Sequence, residues 1–367
     1  MLLIKAWSRR LFAHLDLPLT AMLGLLLLFS LVVVRSATTG VDERFWAHLF
    51  NLAFALVLMV AVSHIPPHRL MQFGLPAYVV GLVLLVGVAL FGDVVNGSRR
   101  WLDLGVTRVQ PSELMRLAVP MMLAWYLHTR QETPRGRDFV VAAVLLSLPL
   151  LLILGQPDLG TSLLIAASGI YVLFLGGLSW RIVVGAGLLF AALVPLAWQY
   201  VLHDYQRQRV LTLIDPGADP LGAGYHIIQS SIAIGSGGAI GKGWLAGTQT
   251  HLDFLPERAT DFIFAVYAEE FGFLGGLVLL LLYAAIILRG LRLAAAAGDV
   301  FGRLLAAAIV LTFFTYAFVN MGMVSGLLPV VGVPLPLVSY GGTSMVTVLF
   351  GFGMVMSIAT HKKLVKT

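Results

Sequence analysis

Asp261 closes the run Pro-Glu-Arg-Ala-Thr-Asp and stands directly before Phe262, Ile263 and Phe264, where a polar loop gives way to an apolar stretch. A carboxylate at such a boundary has two uses. Asp is a favoured helix N-cap, so it can do no more than start the helix that follows. At the rim of a membrane, facing a polar cleft, it can instead take a proton from a hydroxyl nucleophile as general base. Glu257 lies four residues earlier, as a second acid or, more simply, as the loop partner of Arg258.

Glu113 and Arg116 are three residues apart at the start of another apolar stretch, so on a helix they share a face. A charge at the centre of a membrane helix costs roughly 2.5–3.5 kcal/mol on insertion scales, and less near an end. Such residues face the bundle interior and pair. Glu113 and Arg116 are therefore a structural ion pair or a pair lining a substrate cavity. Arg99, Arg100 and Trp101 just ahead suit a phosphate head group, with Trp at the interface. Asp158, in Gly-Gln-Pro-Asp, reads as a helix cap with the same functional alternative. Glu269 and Glu270 fall eight and nine residues after Asp261, roughly 12–14 Å deeper at helical rise. They form a proton path or, as favoured here, hydrogen-bond to neighbouring helices.

The glycine-rich segment GSGGAIGKGW is not a P-loop. That motif needs Gly-x-x-x-x-Gly-Lys-Ser/Thr, and here Ser236 stands at its first position and Gly243 follows Lys242. The nine histidines show no metal spacing, and no Gly-x-Ser-x-Gly elbow occurs. With no cysteine, disulfides and thiolate metal sites are excluded.

These residues must be held in lipid. Of 367 residues, 59% are hydrophobic and 11% charged, against about a quarter charged in soluble domains. That leaves too little polar surface for water, so the chain is a polytopic membrane protein. Ten apolar runs lie near 18–35, 46–63, 73–91, 112–128, 138–155, 159–176, 181–200, 262–288, 303–326 and 337–360, each long enough to cross a bilayer. Backbone in lipid satisfies its own hydrogen bonds, so each run is predicted to be a helix. The fold class is all-α, with residues 1–367 forming a single membrane domain. Lys5, Arg9 and Arg10 lead into a full-length span without a cleavage pattern, so the first helix is expected to be a signal anchor.

With a cytoplasmic start, the inside set holds those three residues, Arg69, Arg130, Arg135, Arg137, Arg181, Arg289, Arg292, Arg303, Lys362, Lys363 and Lys366. Short outside loops hold only Arg35, Arg44, Arg99, Arg100 and Arg108. This asymmetry predicts both termini inside. The long loop 201–261, between spans seven and eight, adds Arg207, Arg209, Lys242 and Arg258 on the outside. Long loops escape the charge rule, yet the cluster also suits an anionic ligand such as a lipid phosphate or pyrophosphate. The net charge of +6 thus follows topology rather than nucleic acid. Within that loop, Tyr225 to Ala233 is predicted to form a short interfacial helix. The outside segment 326–342 is apolar yet rich in Pro and Gly, and is expected to be irregular and packed against protein.

A series of motifs in order resembles the SEDS family (shape, elongation, division, sporulation) over nearly the whole chain. They are GSRRWLDLG (97–105), QPSEL (110–114), GQPDLGTSL (155–163), DPLGAGYHIIQS (219–230), GSGGAIGKGW (235–244), FLPERATDFIFA (254–265) and GVPLPLVSYGG (332–342). FLPE-x-x-TDFIF is similar to the elongation members rather than to their division paralogue. The resemblance implies a ten-helix bundle in the bacterial cytoplasmic membrane, with a large extracytoplasmic loop near a central cavity. It implies a peptidoglycan glycosyltransferase for cell elongation and rod shape, polymerising lipid II into β-1,4 glycan strands. The 4-hydroxyl of an acceptor sugar attacks an undecaprenyl-pyrophosphate-linked donor and releases undecaprenyl pyrophosphate.

By the same resemblance, Asp261 is the essential carboxylate and general base, and Glu113 and Arg116 are a charged pair in the cavity. Arg99, Arg209 and Lys242 contact the pyrophosphate, while Trp101, Asp158 and Glu257 complete the substrate site. The family often has Lys where Arg116 stands, so the charge is kept but proton shuttling is not expected. The implied partners are a class B penicillin-binding protein, whose transpeptidase crosslinks the new strands, and other elongation-complex membrane proteins. The ninth span and the long outer loop are expected to form the main docking surface, where Ala306, Ala307, Ala308, Gly322 and Gly326 offer small residues for close approach. A divalent cation (Mg or Mn) is an optional helper, with no acidic cage of its own in the sequence. Two other readings stay open: a lipid II flippase, supported by the intramembrane acids, and a non-catalytic scaffold for the penicillin-binding protein.

Overall fold

The computed structural model describes residues 13–95, 98–103, 108–130, 134–156, 158–200, 204–219, 223–252, 254–255 and 257–361. Lys5, Arg9, Arg10, Lys362, Lys363 and Lys366, on which part of the orientation argument rests, lie outside the described residues. So do parts of the quoted motifs, among them Pro157, 220–222 and Pro256.

The first seven apolar runs form α1 (Leu17–Ala37), α2 (Asp42–Ser63), α3 (Pro67–Phe91), α4 (Pro111–Thr129), α5 (Gly136–Leu154), α6 (Leu159–Leu175) and α7 (Trp180–Tyr200). The long loop carries the shorter α8 (Asp204–Ile214), α9 (Ala223–Gly237) and α10 (Thr248–His251). The last three runs form α11 (Ile263–Ala295), α12 (Val300–Val324) and α13 (Gly342–Thr360). Eight of these helices are long and apolar enough to cross a membrane outright. The remaining two long ones differ for local reasons. α6 has 17 residues, and α4 carries Glu113 and Arg116 on a largely buried surface, where protein replaces lipid.

Helix starts follow capping chemistry. Asp16 accepts from Leu19 N–H at 3.0 Å, Asp158 from Thr161 N–H at 3.2 Å and Asp299 from Gly302 N–H at 2.6 Å. Asp16 also takes both nitrogens of an Arg289 fork at 3.0 and 2.6 Å, which fastens the start of α1 to the far end of α11. The centre of the bundle is filled by wholly buried side chains, Phe301, Phe352, Met115 and Leu123 among them.

Three departures from regular helix shape the end of the bundle that carries Asp261. The first is the outer connection between α3 and α4, which holds a small antiparallel sheet, β1 (Asp93–Val95), β2 (Ser98–Asp103) and β3 (Arg108–Val109). Strands of two to six residues are too short for periodicity to reveal. The second is a break in α11 at Gly272, whose φ of 66° and ψ of −164° leave the helix. The glycine-rich strand of chain from Gly238 to Gly243 repairs that break. Phe273 and Leu274 N–H donate to the carbonyls of Gly238 and Ala239 at 2.9 and 3.0 Å. Lys242 and Gly243 N–H donate to the carbonyls of Glu269 and Glu270, both at 3.0 Å. A Cβ at Gly241 would lie 2.1 Å from the Glu270 carbonyl oxygen, so only glycine permits this approach. The third is the segment 325–341, irregular as expected and buried at Val333, Leu335, Leu337 and Val338. Non-helical backbone at membrane depth is tolerated where protein covers it.

The helix foreseen at Tyr225 to Ala233 is α9, longer at 15 residues and packed inward. Ser230 Oγ, wholly buried, donates to Val324 O at 3.0 Å.

Candidate active site

Asp261 does not cap α11. The cap position falls on Phe262, which has no side-chain cap bond. Among the described residues the Asp261 carboxylate makes no hydrogen bond, while its backbone is tightly held. Tyr340 N–H donates to Ala259 O at 2.8 Å, Ser339 Oγ to Thr260 O at 2.6 Å and Asn320 Nδ2 to Asp261 O at 2.8 Å. Burial, and after it the charge of Glu257, raise the carboxyl pKa while the Arg209 guanidinium on α8 pulls it back, leaving it at about 6. A group poised there is ionised at neutral pH and remains basic enough to accept a proton.

Glu257 does not pair with Arg258 as expected. Arg258 turns instead to the carbonyls of Ala37, at 2.8 Å, and Thr250. Glu257 sits at a positive φ of 50° and receives Thr260 Oγ1 at 2.9 Å, which bends the loop so that both acids share one neighbourhood. His226 on α9 stacks on Phe262, with ring centroids 5.4 Å apart. Burial lowers its pKa, with Glu257 opposing.

A second polar cluster lies along the same face of α12. Arg116 meets Glu113 at 2.6 and 2.7 Å, donates to Thr161 Oγ1 at 3.2 Å and lies over the Tyr316 ring, 5.0 Å from its centroid. Asp158 is both the cap of α6 and a member of this polar cluster. It receives Gln110 Nε2 at 3.4 Å and faces Arg100 at 3.9 Å. Tyr316 and Asn320 are one helical turn apart, so α12 joins this cluster to the Asp261 loop. Residues alternate faces along β2, and here Arg100 turns to Asp158. Arg99 stays exposed and is not brought into the cavity, while Trp101 is half-buried on the same strand.

Lys242, expected at the pyrophosphate, is engaged elsewhere. Its Nζ lies 2.7 Å from Glu269 Oε1 and 2.8 Å from Thr248 Oγ1. Glu269 is wholly buried, and the lysine supplies its counter-charge. The same carboxylate accepts from Gln249 N–H at 2.9 Å and from Thr250 N–H and Oγ1 at 3.3 and 3.1 Å. Glu270 receives Ser36 Oγ and, at 3.1 Å, Leu245 N–H. Both acids therefore tether the loop to the broken helix, the structural role favoured from sequence.

The docking residues also need correction. Ala306, Ala307 and Ala308 are 0, 7 and 0% exposed inside the bundle, whereas Gly322 does line an open surface, where a Cβ on it would meet Leu328 at 2.8 Å. The open surface on that helix is a cavity of ≈ 710 Å³ between α11 and α12, lined by Phe264, Leu280, Phe314, Phe318 and Leu327 among others. Among the described residues no group of three or more His, Asp or Glu side chains could hold a metal. The donor set does not build a resident metal site.

Sequence reasoning missed Asn320, Tyr316, Ser339, Thr161 and His226. For Asn320 a signal existed, since an amide within an apolar span is costly and rarely idle. Ser339 gave none, being one of many hydroxyls near Gly and Pro.

A bundle of apolar helices around a buried acid–arginine network defines a multi-pass membrane protein with a polar site at one end of its cavity. The chain belongs to the cell cycle protein family FTSW_RODA_SPOVE, whose family model matches residues 10–364. It is 52% identical over 354 residues to the peptidoglycan glycosyltransferase MrdB of Escherichia coli K12, covering 96% of this chain and 95% of that protein. The structure is similar to a chain from a peptidoglycan synthase complex studied for coordination of polymerization and crosslinking, with TM-score 0.83, 34% identity, and 95% and 99% of the two chains covered. It is also similar to the rod shape determining protein RodA of Thermus thermophilus, with TM-score 0.72, 28% identity, and 95% and 98% covered.

Proposed function

We infer that this chain is a peptidoglycan glycosyltransferase that polymerises lipid II into β-1,4 glycan strands, releasing undecaprenyl pyrophosphate, in cell elongation. The observation that carries the reading is Asp261: a half-buried carboxylate, free of capping duty, on a loop whose carbonyls at Ala259, Thr260 and Asp261 are each held by a hydrogen bond. The acceptor 4-hydroxyl gives its proton to Asp261 as its oxygen attacks the donor's anomeric carbon. The bond from that carbon to the pyrophosphate oxygen breaks, and the pair of electrons leaves with the lipid pyrophosphate. Cations aimed at charge that develops on the leaving group lower the barrier. Arg209 near Asp261, and Arg100 and Arg116 in the second cluster, are the groups assigned to it. Glu113 holds Arg116, and Asp158 faces Arg100, so these arginines are fixed before substrate arrives. The steps are derived without a metal.

Both termini are cytoplasmic in this reading, the protein lies in the bacterial inner membrane, and the 201–261 loop faces the lipid II head groups outside. The partner is a class B penicillin-binding protein whose membrane helix fits the apolar cavity between α11 and α12. Support comes from exposed Phe314 and Phe318 on α12 and from similarity to a synthase-complex chain.

The test is Asp261→Asn, purified with its partner and assayed for glycan polymer from lipid II. Loss of a general base costs about 10²–10⁴-fold in rate, whereas folding should not suffer. Near-normal polymerisation by the folded variant would refute the assignment.

A further inference from the structure

Asn320 is wholly buried on α12 and is where three segments meet. Its Nδ2 donates to Asp261 O at 2.8 Å and to Val333 O at 2.7 Å, so one amide ties the backbone of the base to the irregular segment. That segment is itself braced, because Ser339 Oγ accepts from Leu335 N–H at 2.8 Å while donating to Thr260 O at 2.6 Å. Among the described residues the Asp261 carboxylate has no hydrogen bond of its own to aim it. Its direction is therefore inherited from its backbone. Gly332, at φ +72°, passes beneath it, with room for a Cβ only 3.4 Å from Oδ2.

We propose that Asn320 is a positioning residue for glycosyl transfer, holding the Asp261 backbone against Val333 so that the carboxylate stands where the acceptor hydroxyl arrives. Its Oδ1 is buried without a partner. A buried polar atom left unsatisfied costs stability, and an apolar side chain would avoid that cost in a membrane span. The amide is thus kept for what its N–H groups hold. The inference rests on the reading of Asp261 as base. Asp261 faces Glu257 from its own loop, Arg209 from α8 and, beside Phe262, His226 from α9. The α12 and 325–341 segments bring it only neutral side chains, Asn320 and Ser339.

The test uses Asn320→Asp, Asn320→Ser and Ser339→Ala in the full chain with its partner, assaying lipid II polymerisation on both sides of pH 6. A catalytic group displaced by about 1 Å loses roughly 10²-fold, so kcat should fall by about that factor in Asn320→Ser, with KM for lipid II held. Asn320→Asp should lower kcat as well, because a carboxyl group can donate to only one of the two carbonyls, and only as the neutral acid. Ser339→Ala should give a smaller fall of the same kind. If kcat matches the parent, if KM for lipid II rises in its place, or if activity falls only in step with folded protein, the proposal is overturned. If Asn320→Ser does not fold, the near-isosteric Asn320→Asp and the peripheral Ser339→Ala decide by the same two readouts. Asp261→Asn runs in parallel. Normal activity there would remove the base assignment itself, whereas a dead Asp261→Asn beside normal Asn320 variants would remove only the positioning role.

Discussion

Replacing Lys242 by Met should loosen the loop from the broken helix rather than weaken substrate binding. The Lys242–Glu269 contact is 2.7 Å, with the acid fully buried and the lysine side chain 26% exposed. Removing one member of a buried pair costs about 3–5 kcal/mol, mostly by stranding the other charge. Glu269 would keep the hydrogen bonds from Thr248, Gln249 and Thr250, and the partial exposure of Lys242 lets water replace some of the lost contact. Those two offsets reduce the expected cost to about 2–3 kcal/mol. The double variant Lys242→Met/Glu269→Gln should recover part of it, because a neutral amide needs no counter-charge.

The assay is the unfolding temperature in detergent for the single and double variants, alongside initial polymerisation rates. A lower unfolding temperature for Lys242→Met with lipid II KM unchanged in the folded fraction supports the structural role. An unchanged unfolding temperature with a raised KM would refute it and return Lys242 to the pyrophosphate.

The remaining predictions concern the base and its surroundings. Polymerisation should rise with pH through about 6, as Asp261 ionises. Arg209→Gln removes the cation that lowers the Asp261 pKa and should shift that limb upward, while Glu257→Gln should shift it downward; rate profiles of the three proteins check both signs. Gly332→Ala places a side chain at positive φ under Oδ2, costing about 1–2 kcal/mol of stability and depressing kcat more than folding. Thermal melting and kinetics on one preparation separate the two effects.

The helices were legible because lipid imposes a simple rule on long apolar runs, and every such run became a helix, with ends shifted by up to seven residues and one helix broken at Gly272. The loop corrected most of what was read from charge. Arg258 and Lys242 look alike in sequence as outer cations, yet both are spent on the protein's own carbonyls and acids. What Lys242 meets depends on the break at Gly272, and a lone Gly in a span carries no statement about φ. Arg99 and Arg100 show the same limit, since only the register of a six-residue strand decides which one turns to Asp158. Glu113 and Arg116 were readable as a pair because the price of charge in a membrane leaves few alternatives.

Asp261 itself is evidence of function by its sign. Its pKa is 3.8 in an unperturbed chain and about 6 here, so the folded state resists its ionisation. Below pH 3.8 both states are protonated and nothing is lost; stability falls as pH rises through the window to about 6 and stays lower above it. At neutral pH this carboxylate therefore strains the fold that carries it, and Asp261→Asn should melt no lower than the parent. A cap would show the opposite. The surrounding architecture holds the backbone instead: Asn320, Ser339 and Tyr340 donate to three successive carbonyls and, among the described residues, the side chain receives no hydrogen bond. A site organised for stability would have given Asp261 a donor. One organised to receive a proton keeps the donors on the backbone and the carboxylate open, as Asp261 is here.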